Sequence, residues 1–221
     1  ADDSIRSSYR VGRVPCDTQM RTIIDPVGPE TLRPIFRDVF RQVQRGKVLE
    51  QFVCLEGCYL LSLDGTGCFS SNKVHCPSCL RRVSGSGEVT WHHQMLGAAL
   101  VHPDLKEVIP LCPEPIIQQD GHTKNDCERN AARRFLAAFR LDHPHLPVIV
   151  VEDGLSSNGP HIRDLVDHRM HFILGVQPGD HRALFEHVGL RESVGAVTHV
   201  TIRDQDPKSD RPHLIAIAPE A

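Results

Sequence analysis

The sequence predicts a mixed α/β fold, and two observations lead to that class. First, two apolar runs each end at a carboxylate followed by glycine: residues 60–64 end at Asp64, and residues 146–153 end at Asp153. Such runs are typical of buried strands that present an acid at one edge of a sheet. Second, a meander of strand-like segments and then a helix lie between them, and this order favours a mixed sheet over a doubly wound one.

Residues 1–57 are predicted to form an N-terminal arm with helices. Residues 1–28 are polar with scattered Pro and Gly, which indicates irregular structure. Residues 29–46 predict a helix that stops at Gly46. Its apolar side chains recur at helical spacing and are Leu32, Ile35, Phe36, Val39, Phe40 and Val43. Arginines recur every four residues on another face, from position 33 to position 45. We interpret them as a solvated face in preference to a phosphate-contacting one. Residues 48–57 predict a second short helix or connector.

Residues 58–221 are predicted to form the second domain, in which residues 65–93 are a Cys/His-rich insertion with a hairpin turn at Gly85-Ser86-Gly87. After the strand at Asp64, strands are predicted at residues 90–101, 107–111, 146–153, 170–176, 198–203 and 214–218. Helices are predicted at residues 125–140, 161–168 and 179–188. This order is that of the ribonuclease H-like fold. We therefore expect a ribonuclease H-like mixed sheet flanked by helices, preceded by the helical arm.

Composition narrows the class of protein. The 221 residues are 40% hydrophobic, enough for a packed core, and the net charge of −3 gives no overall attraction to nucleic acid. No run approaches the ~18 apolar residues of a membrane span, and no secretion leader pattern opens the chain. Eight cysteines at irregular spacing then favour a reduced, cytoplasmic protein over a disulfide scaffold.

Two acids at equivalent strand ends, Asp64 and Asp153, predict a shared Mg²⁺ or Mn²⁺ site for phosphoryl transfer. The alternative for each Asp-Gly pair is ordinary turn chemistry. Glu128 stands in the first turn of the helix predicted at residues 125–140. It either favours the helix dipole from that position or joins the same carboxylate cluster as a catalytic residue.

A second candidate metal site lies in the insertion. Cys76 and Cys79 form a CxxC motif, and His92 and His93 follow beyond the predicted hairpin. Two thiolates at this spacing with a histidine beyond a hairpin are typical of a tetrahedral structural zinc site, with Cys68 or His75 as candidates for the fourth ligand. The alternative is a set of buried thiols without a metal.

A series of short motifs runs through residues 32–188. They are Gln44-Arg45-Gly46-Lys47, Leu63-Asp64-Gly65-Thr66, Phe69-Ser70-Ser71, His75-Cys76-Pro77-Ser78-Cys79-Leu80, Trp91-His92-His93, Val101-His102-Pro103, Pro113-Glu114, Asp126-Cys127-Glu128-Arg129-Asn130-Ala131 and Val151-Glu152-Asp153-Gly154-Leu155. In order and spacing they resemble bacterial insertion-sequence transposases with a DDE-type catalytic domain. The resemblance implies DNA transposition and recombination by metal-dependent phosphodiester cleavage and strand transfer. It also implies transposon-end and target DNA as partners, a homodimer in the assembled complex, no membrane, and a cytoplasmic, nucleoid-associated location.

The resemblance implies that Asp64 is the first metal-binding acid, Asp153 the second, and a Glu on a later helix the third. Glu186 and Glu192 come too early for that role, and Glu220 has no helical context. We therefore expect a partial catalytic domain that stops before its third acid, so that enzymatic activity of this chain is left open.

Two further hypotheses belong to other classes. One is a non-catalytic, zinc-stabilised DNA-binding remnant of such an enzyme, for which zinc content is the discriminating measurement. The other is a metal-dependent nuclease that uses Asp64, Glu128 and Asp153 without a later acid. Gln177 is a further departure from the transposase pattern, since a Lys is expected there, and its absence would weaken contact with DNA.

Overall fold

A computed structural model describes residues 15–117, 128–202 and 213–217. It has a mixed α/β architecture, in which a sheet of parallel and antiparallel strands is flanked by helices. The predicted class is thus confirmed at that level. The chain divides into two compact units, one of Ala1–Glu152 with Asn158–Ile173 and one of Asp153–Ser157 with Leu174–Ala221. No helix in the described ranges is both long and apolar enough to cross a membrane.

The described part of the first unit contains four α-helices and three short 3₁₀ helices. The α-helices are α1 (Asp17–Ile24), α2 (Arg33–Arg45), α3 (Glu128–Asp142) and α4 (Gly159–Asp167), and the 3₁₀ helices are Pro29–Leu32, Leu49–Phe52 and Leu55–Gly57. In the second unit the described residues form α5 (Arg182–Ser193) and an antiparallel pair of strands, β8 (Thr198–Ile202) and β9 (His213–Ile217).

Seven strands of the described chain form one mixed sheet. They are β1 (Tyr59–Ser71), β2 (Leu80–Val83), β3 (Val89–Val101), β4 (Ile109–Pro110), β5 (Glu114–Ile116), β6 (Val148–Glu152) and β7 (His171–Leu174). The order is β2-β3-β1-β6-β7, with β4 and β5 also paired to β3. The long strand β1 is antiparallel to β3 and parallel to β6, so it lies at the centre of the sheet.

The core lies between α3 and one face of this sheet. The apolar positions of α3 recur at helical spacing and are buried: Ala131, Ala132, Phe135, Leu136 and Phe139. On the sheet, alternate residues near the start of β1 and near the end of β3 are buried, as expected where one face is covered; they are Leu61, Leu63, Leu96, Ala98 and Leu100. We call this covered side of the sheet the α3 face.

The predicted end of the strand at Asp64 is wrong. Strand β1 continues to Ser71, because Asp64 and the residues after it pair with β3, with Asp64 opposite Gly97. A register shift between Gly67 and Phe69 interrupts this pairing. The Asp-Gly-Thr sequence therefore lies within a strand, where ladder hydrogen bonds outweigh the local turn preference of Asp-Gly.

Other local predictions also need correction. Helix α1 occupies part of the predicted irregular arm, and the strand predicted at residues 107–111 is replaced by the shorter β4 and by β5. The helix predicted from residue 125 is described from Glu128; residues 125–127 lie outside the described ranges. Helix α2 ends where predicted, but the residue in the left-handed conformation is Lys47 (φ 57°), not Gly46.

Two of the arginines that recur along α2 form ion pairs with other parts of the first unit. Arg33 forms an ion pair with Glu114 of β5 at 3.1 Å, and Arg37 forms one with Asp142 at the end of α3 at 3.3 Å. Phe40 is buried on the same helix. The prediction of a wholly solvated arginine face is therefore wrong for Arg33, which is half-buried, whereas Arg37 stays exposed. Their ion pairs attach α2 to the sheet and to α3.

Candidate metal centre

Three predicted ligands converge in the insertion, which we call the Cys/His hairpin (residues 65–93). The Sγ atoms of Cys76 and Cys79 lie 3.6 Å apart, and each lies 3.3 Å from Nε2 of His93. Zinc bonds of about 2.3 Å to sulfur and 2.0 Å to nitrogen at a tetrahedral angle require separations of about 3.8 Å and 3.5 Å. The observed distances are close to these, so the group could hold a metal, and its two thiols favour zinc.

The local backbone explains why the thiols meet. Cys76 and Cys79 are held in a tight turn, in which the Cys79 N–H donates to the Cys76 carbonyl at 3.1 Å and the Cys76 N–H donates to Cys79 Sγ at 3.2 Å. Leu80 directly after the turn is 1% exposed and fixes the start of β2. The ladder of β1 and β3 places His93 opposite Phe69, on the face where the turn lies.

Burial affects the two thiols differently. Cys79 is buried, whereas Cys76 is exposed. Burial raises the pKa of the Cys79 thiol above its usual range, because the thiolate is less well solvated there. A bound zinc ion would reverse this preference, since thiolates are its ligands, and binding would release protons.

The remaining predicted ligands lie outside this group. His92 precedes His93 on β3 and therefore points to the other face of the sheet, where it lies opposite Leu80. The Cys68 thiol donates to the His93 carbonyl at 3.5 Å, and the His75 ring stacks on Trp91 with centroids 4.5 Å apart. Cys76, Cys79 and His93 are the one group of three or more metal-ligating side chains within the described ranges.

The predicted carboxylates occupy different surroundings. Asp64 is exposed on β1, on the face opposite its buried neighbour Leu63 and the half-buried Gly65. Glu128 reaches β1 from the α3 face: a Cβ added to Gly65 would lie 2.1 Å from its Oε1. Asp64 and Glu128 thus approach neighbouring residues of β1 from opposite faces. This lowers the support for a nuclease centre that contains both.

Asp153 belongs to the second unit and follows directly on β6. It is exposed, and its Oδ1 accepts a hydrogen bond from the Leu155 N–H at 3.0 Å, which is the turn chemistry that an Asp-Gly sequence favours. In the described ranges neither Asp64 nor Asp153 belongs to a cluster of three metal-ligating groups. The side-chain geometry of the described residues therefore does not by itself support Mg²⁺ or Mn²⁺.

A buried polar pair was not found from the sequence. Glu152, the last residue of β6, contacts Nε2 of His161 through its Oε2 at 2.5 Å, and both side chains are 3% exposed. His161 is held in the first turn of α4, where its N–H donates to the Asn158 side chain that caps the helix. The cap motif could have located the helix start, but no sequence signal links it to Glu152.

Comparison of the sequence with models of known protein families and with curated proteins found no match.

Proposed function

We propose that this chain is the catalytic region of a DDE-type DNA transposase, in which a zinc-binding hairpin extends from a ribonuclease H-like sheet. The order of the elements supports this proposal. The antiparallel strands β1, β3 and β5 are followed by α3, then by β6 parallel to β1, and then by α4 and β7. A meander, a helix and a return strand in this order are what the sequence predicted for that fold.

One register relation carries the proposal. In the parallel pair of β1 and β6, Ser62 lies opposite Val151. Asp64 follows Ser62 by two positions, and Asp153 follows Val151 by two positions. The two acids thus have the same sequence offset from one paired position, and the sequence prediction that they serve one divalent ion is consistent with this register.

The two metal sites of this proposal have different chemistry. Asp64 and Asp153 would hold Mg²⁺ or Mn²⁺, which when bound stabilises the charge that develops on a phosphodiester during displacement. Cys76, Cys79 and His93 would hold zinc, because thiolates select zinc and carboxylates select the harder ions. Zinc there would have a structural role, in that it would fix the conformation of the hairpin.

Excision of the DNA element that encodes this chain, measured in cells, tests the catalytic roles. We expect Asp64→Asn and Asp153→Asn each to abolish excision, because amides neutralise the charge that holds the ion. Asp104→Asn is a matched control on an exposed turn outside these strands and should leave excision unchanged. Excision at the wild-type level by Asp64→Asn would overturn the proposal.

A second candidate function is a zinc-stabilised DNA-binding module without catalysis. The specific observation in its favour is that the thiol and imidazole ligands are assembled, whereas the described acids form no three-ligand group. Duplex DNA binding that depends on Cys76, without Mn²⁺-dependent cleavage by the wild-type chain, favours this module. Cleavage that Asp64→Asn abolishes rules it out.

A further inference from the structure

A cleft of about 940 Å³ lies along the Cys/His hairpin, lined by residues of β1, β2 and β3. Hydrogen-bonding side chains face each other across the ladders that form its floor. Ser70 of β1 lies opposite His92 of β3, and Arg82 of β2 lies opposite Thr90 of β3. The pairing of β1, β2 and β3 therefore forms the cleft. Its hydrogen-bond donors come from all three strands.

The charge of this cleft differs from that of the chain. None of the described residues that line it is Asp or Glu, and they include the exposed guanidinium of Arg82. Residues 65–93 carry three basic residues and one acidic residue, whereas the whole chain has a net charge of −3. A guanidinium donates hydrogen bonds and accepts none, and hydroxyl and amide groups also donate. Such a lining matches an anion with many acceptor oxygens.

The cleft is also distinct in position from the first predicted acid. Gly97 lies opposite Asp64, and alternation along β3 then puts Gln94 and His92 on the other face of the sheet. Ligands in the cleft would thus contact the hairpin away from the Asp64 side chain. A contact there contributes to affinity and to position, not to the chemistry at Asp64.

We infer that this cleft binds the phosphodiester backbone of duplex DNA, with Arg82 as its charged contact and with Ser70 and His92 as neutral partners. This inference rests on the proposed function, which has DNA as its substrate. His93 also lines the cleft, but its ring points to the face opposite that of His92, so the metal group lies on the other side of the sheet from these contacts. Contacts to phosphate hold a protein on the duplex without reading its sequence.

Fluorescence anisotropy with a labelled duplex, over a series of salt concentrations, tests the inference. Each phosphate contact contributes about 0.9 to the slope of log affinity against log salt. We expect Arg82→Gln to lower that slope by about this amount and to weaken binding about tenfold near 0.1 M salt, equally for two unrelated duplexes. Gln94→Glu places an acid in the cleft and should weaken binding in the same direction.

Matched controls separate the cleft from general charge effects. Arg163→Gln removes an exposed arginine from α4, and Gln51→Glu adds an acid to an exposed position outside the cleft. Both should bind DNA as the wild type does. Thermal melting that is unchanged in Arg82→Gln shows that the loss of affinity does not come from unfolding.

Three results would overturn the inference. They are equal affinities of Arg82→Gln and Arg163→Gln, no duplex binding by the wild type at low salt, and Arg82-dependent binding of inorganic phosphate without binding of duplex. The proposed function is judged separately by excision with Asp64→Asn. If excision requires Asp64 but duplex binding does not require Arg82, the inference about the cleft is wrong and the proposed transposase function is unaffected.

Discussion

Residues 65–93, all of which the structure describes, bury only Cys79 and Leu80. The adjoining sheet and α3, which we call the sheet body, bury a continuous set of apolar side chains such as Leu61, Leu100 and Leu136, each fully buried. Burial of apolar surface, at about 25 cal/mol per Å², therefore stabilises the body. The hairpin buries almost no apolar surface and gains little stability in this way. A small element without a hydrophobic core depends on a metal or a disulfide for its stability. In this hairpin, the three converging ligands could hold such a metal.

The largest effect is expected from breaking the metal group. Cys76→Ser removes one of three ligands, and structural zinc contributes on the order of 10 kcal/mol to the folding of small metal-dependent elements. Zinc content should fall from one ion per chain to none, and amide hydrogen-exchange protection should be lost in β2 and the first half of β3. Protection in β6 and α3 should persist, because their burial does not involve the hairpin.

Cysteines outside the group are the matched controls for that experiment. Cys68→Ser and Cys16→Ser alter exposed thiols that do not belong to it. Both variants should keep their zinc. Stoichiometric zinc in Cys76→Ser, or exchange protection that EDTA leaves intact, would show that the hairpin is stable by other means.

The next largest effect belongs to the body. The Arg140 side chain donates to four main-chain carbonyls: His168 at 2.9 Å, Leu146 at 3.0 Å, His143 at 3.2 Å and Arg169 at 3.3 Å. It therefore joins α3 to the loop before β6 and to the end of α4. Arg140→Met leaves these carbonyls without their charged donor and should lower the free energy of unfolding by about 2–4 kcal/mol.

Urea denaturation measures that loss, and zinc content is its internal control. Arg163→Met removes an exposed arginine from α4 and should change stability by less than about 0.5 kcal/mol. Zinc should remain bound in both variants, because Arg140 makes its described contacts within the body. A loss of zinc in Arg140→Met would contradict the division into hairpin and body.

A smaller effect should appear as a pH dependence of the body. His143 lies against the rings of Phe40 and Phe139, at centroid distances of 4.2 Å and 5.0 Å. Burial lowers the pKa of His143 below its usual value of 6.5, although Asp142 raises it in part. Below that value the unfolded chain binds a proton more readily than the folded one. Stability is thus present above pH 6.5 and falls with pH until the folded pKa is reached, with a slope of at most about 1.4 kcal/mol per unit.

Urea denaturation between neutral and mildly acidic pH measures this slope. His143→Phe should make it shallower, since no proton can then be gained at that site on unfolding. His145→Phe is the matched control at an exposed position two residues on, and its slope should equal that of the wild type. Equal slopes for all three proteins would mean that His143 does not contribute.

The smallest effect is a predicted gain in stability. Arg169 follows α4 with φ 54°, and the Met170 N–H donates to the Leu165 carbonyl at 3.0 Å. This is a Schellman end, in which glycine has no steric cost. Arg169→Gly should raise the free energy of unfolding by up to about 1 kcal/mol, because a left-handed non-glycine residue is strained. A loss of stability in urea would contradict this, and zinc content should not change.

The sequence predicts local features of the hairpin better than features that depend on pairing. The spacing of Cys76 and Cys79 was sufficient to find two of the ligands, because both come from one short segment. The sequence did not show whether His92 or His93 is the ligand, because that depends on which face of β3 each residue occupies. For the same reason the continuation of β1 past Asp64 was missed, since β3 supplies the pairing that keeps Asp-Gly-Thr extended.

Ion pairs between residues that are distant in sequence could not be predicted for the sheet body and the helix that packs on it. The helical period of α2 was correct, but nothing local showed that Arg33 and Arg37 would meet Glu114 and Asp142, which lie 81 and 105 positions away. The mixed sheet itself followed from the order of apolar segments, which depends on local patterns and chain connectivity. Whether Asp64 and Asp153 serve one ion remains a prediction from the sequence and from one register relation.

The register shift in β1 determines how many side chains can coordinate the metal. Gly67 lies opposite Gln94 and Phe69 lies opposite His93, so Cys68 is an extra residue without a partner in the ladder. An uninterrupted ladder would place Cys68, and not Phe69, opposite His93. It would then carry a third thiol on the face of the metal ligands and direct the aromatic ring away. Among the described residues, a single bulged residue thus separates the observed group of three ligands from a Cys₃His group of four.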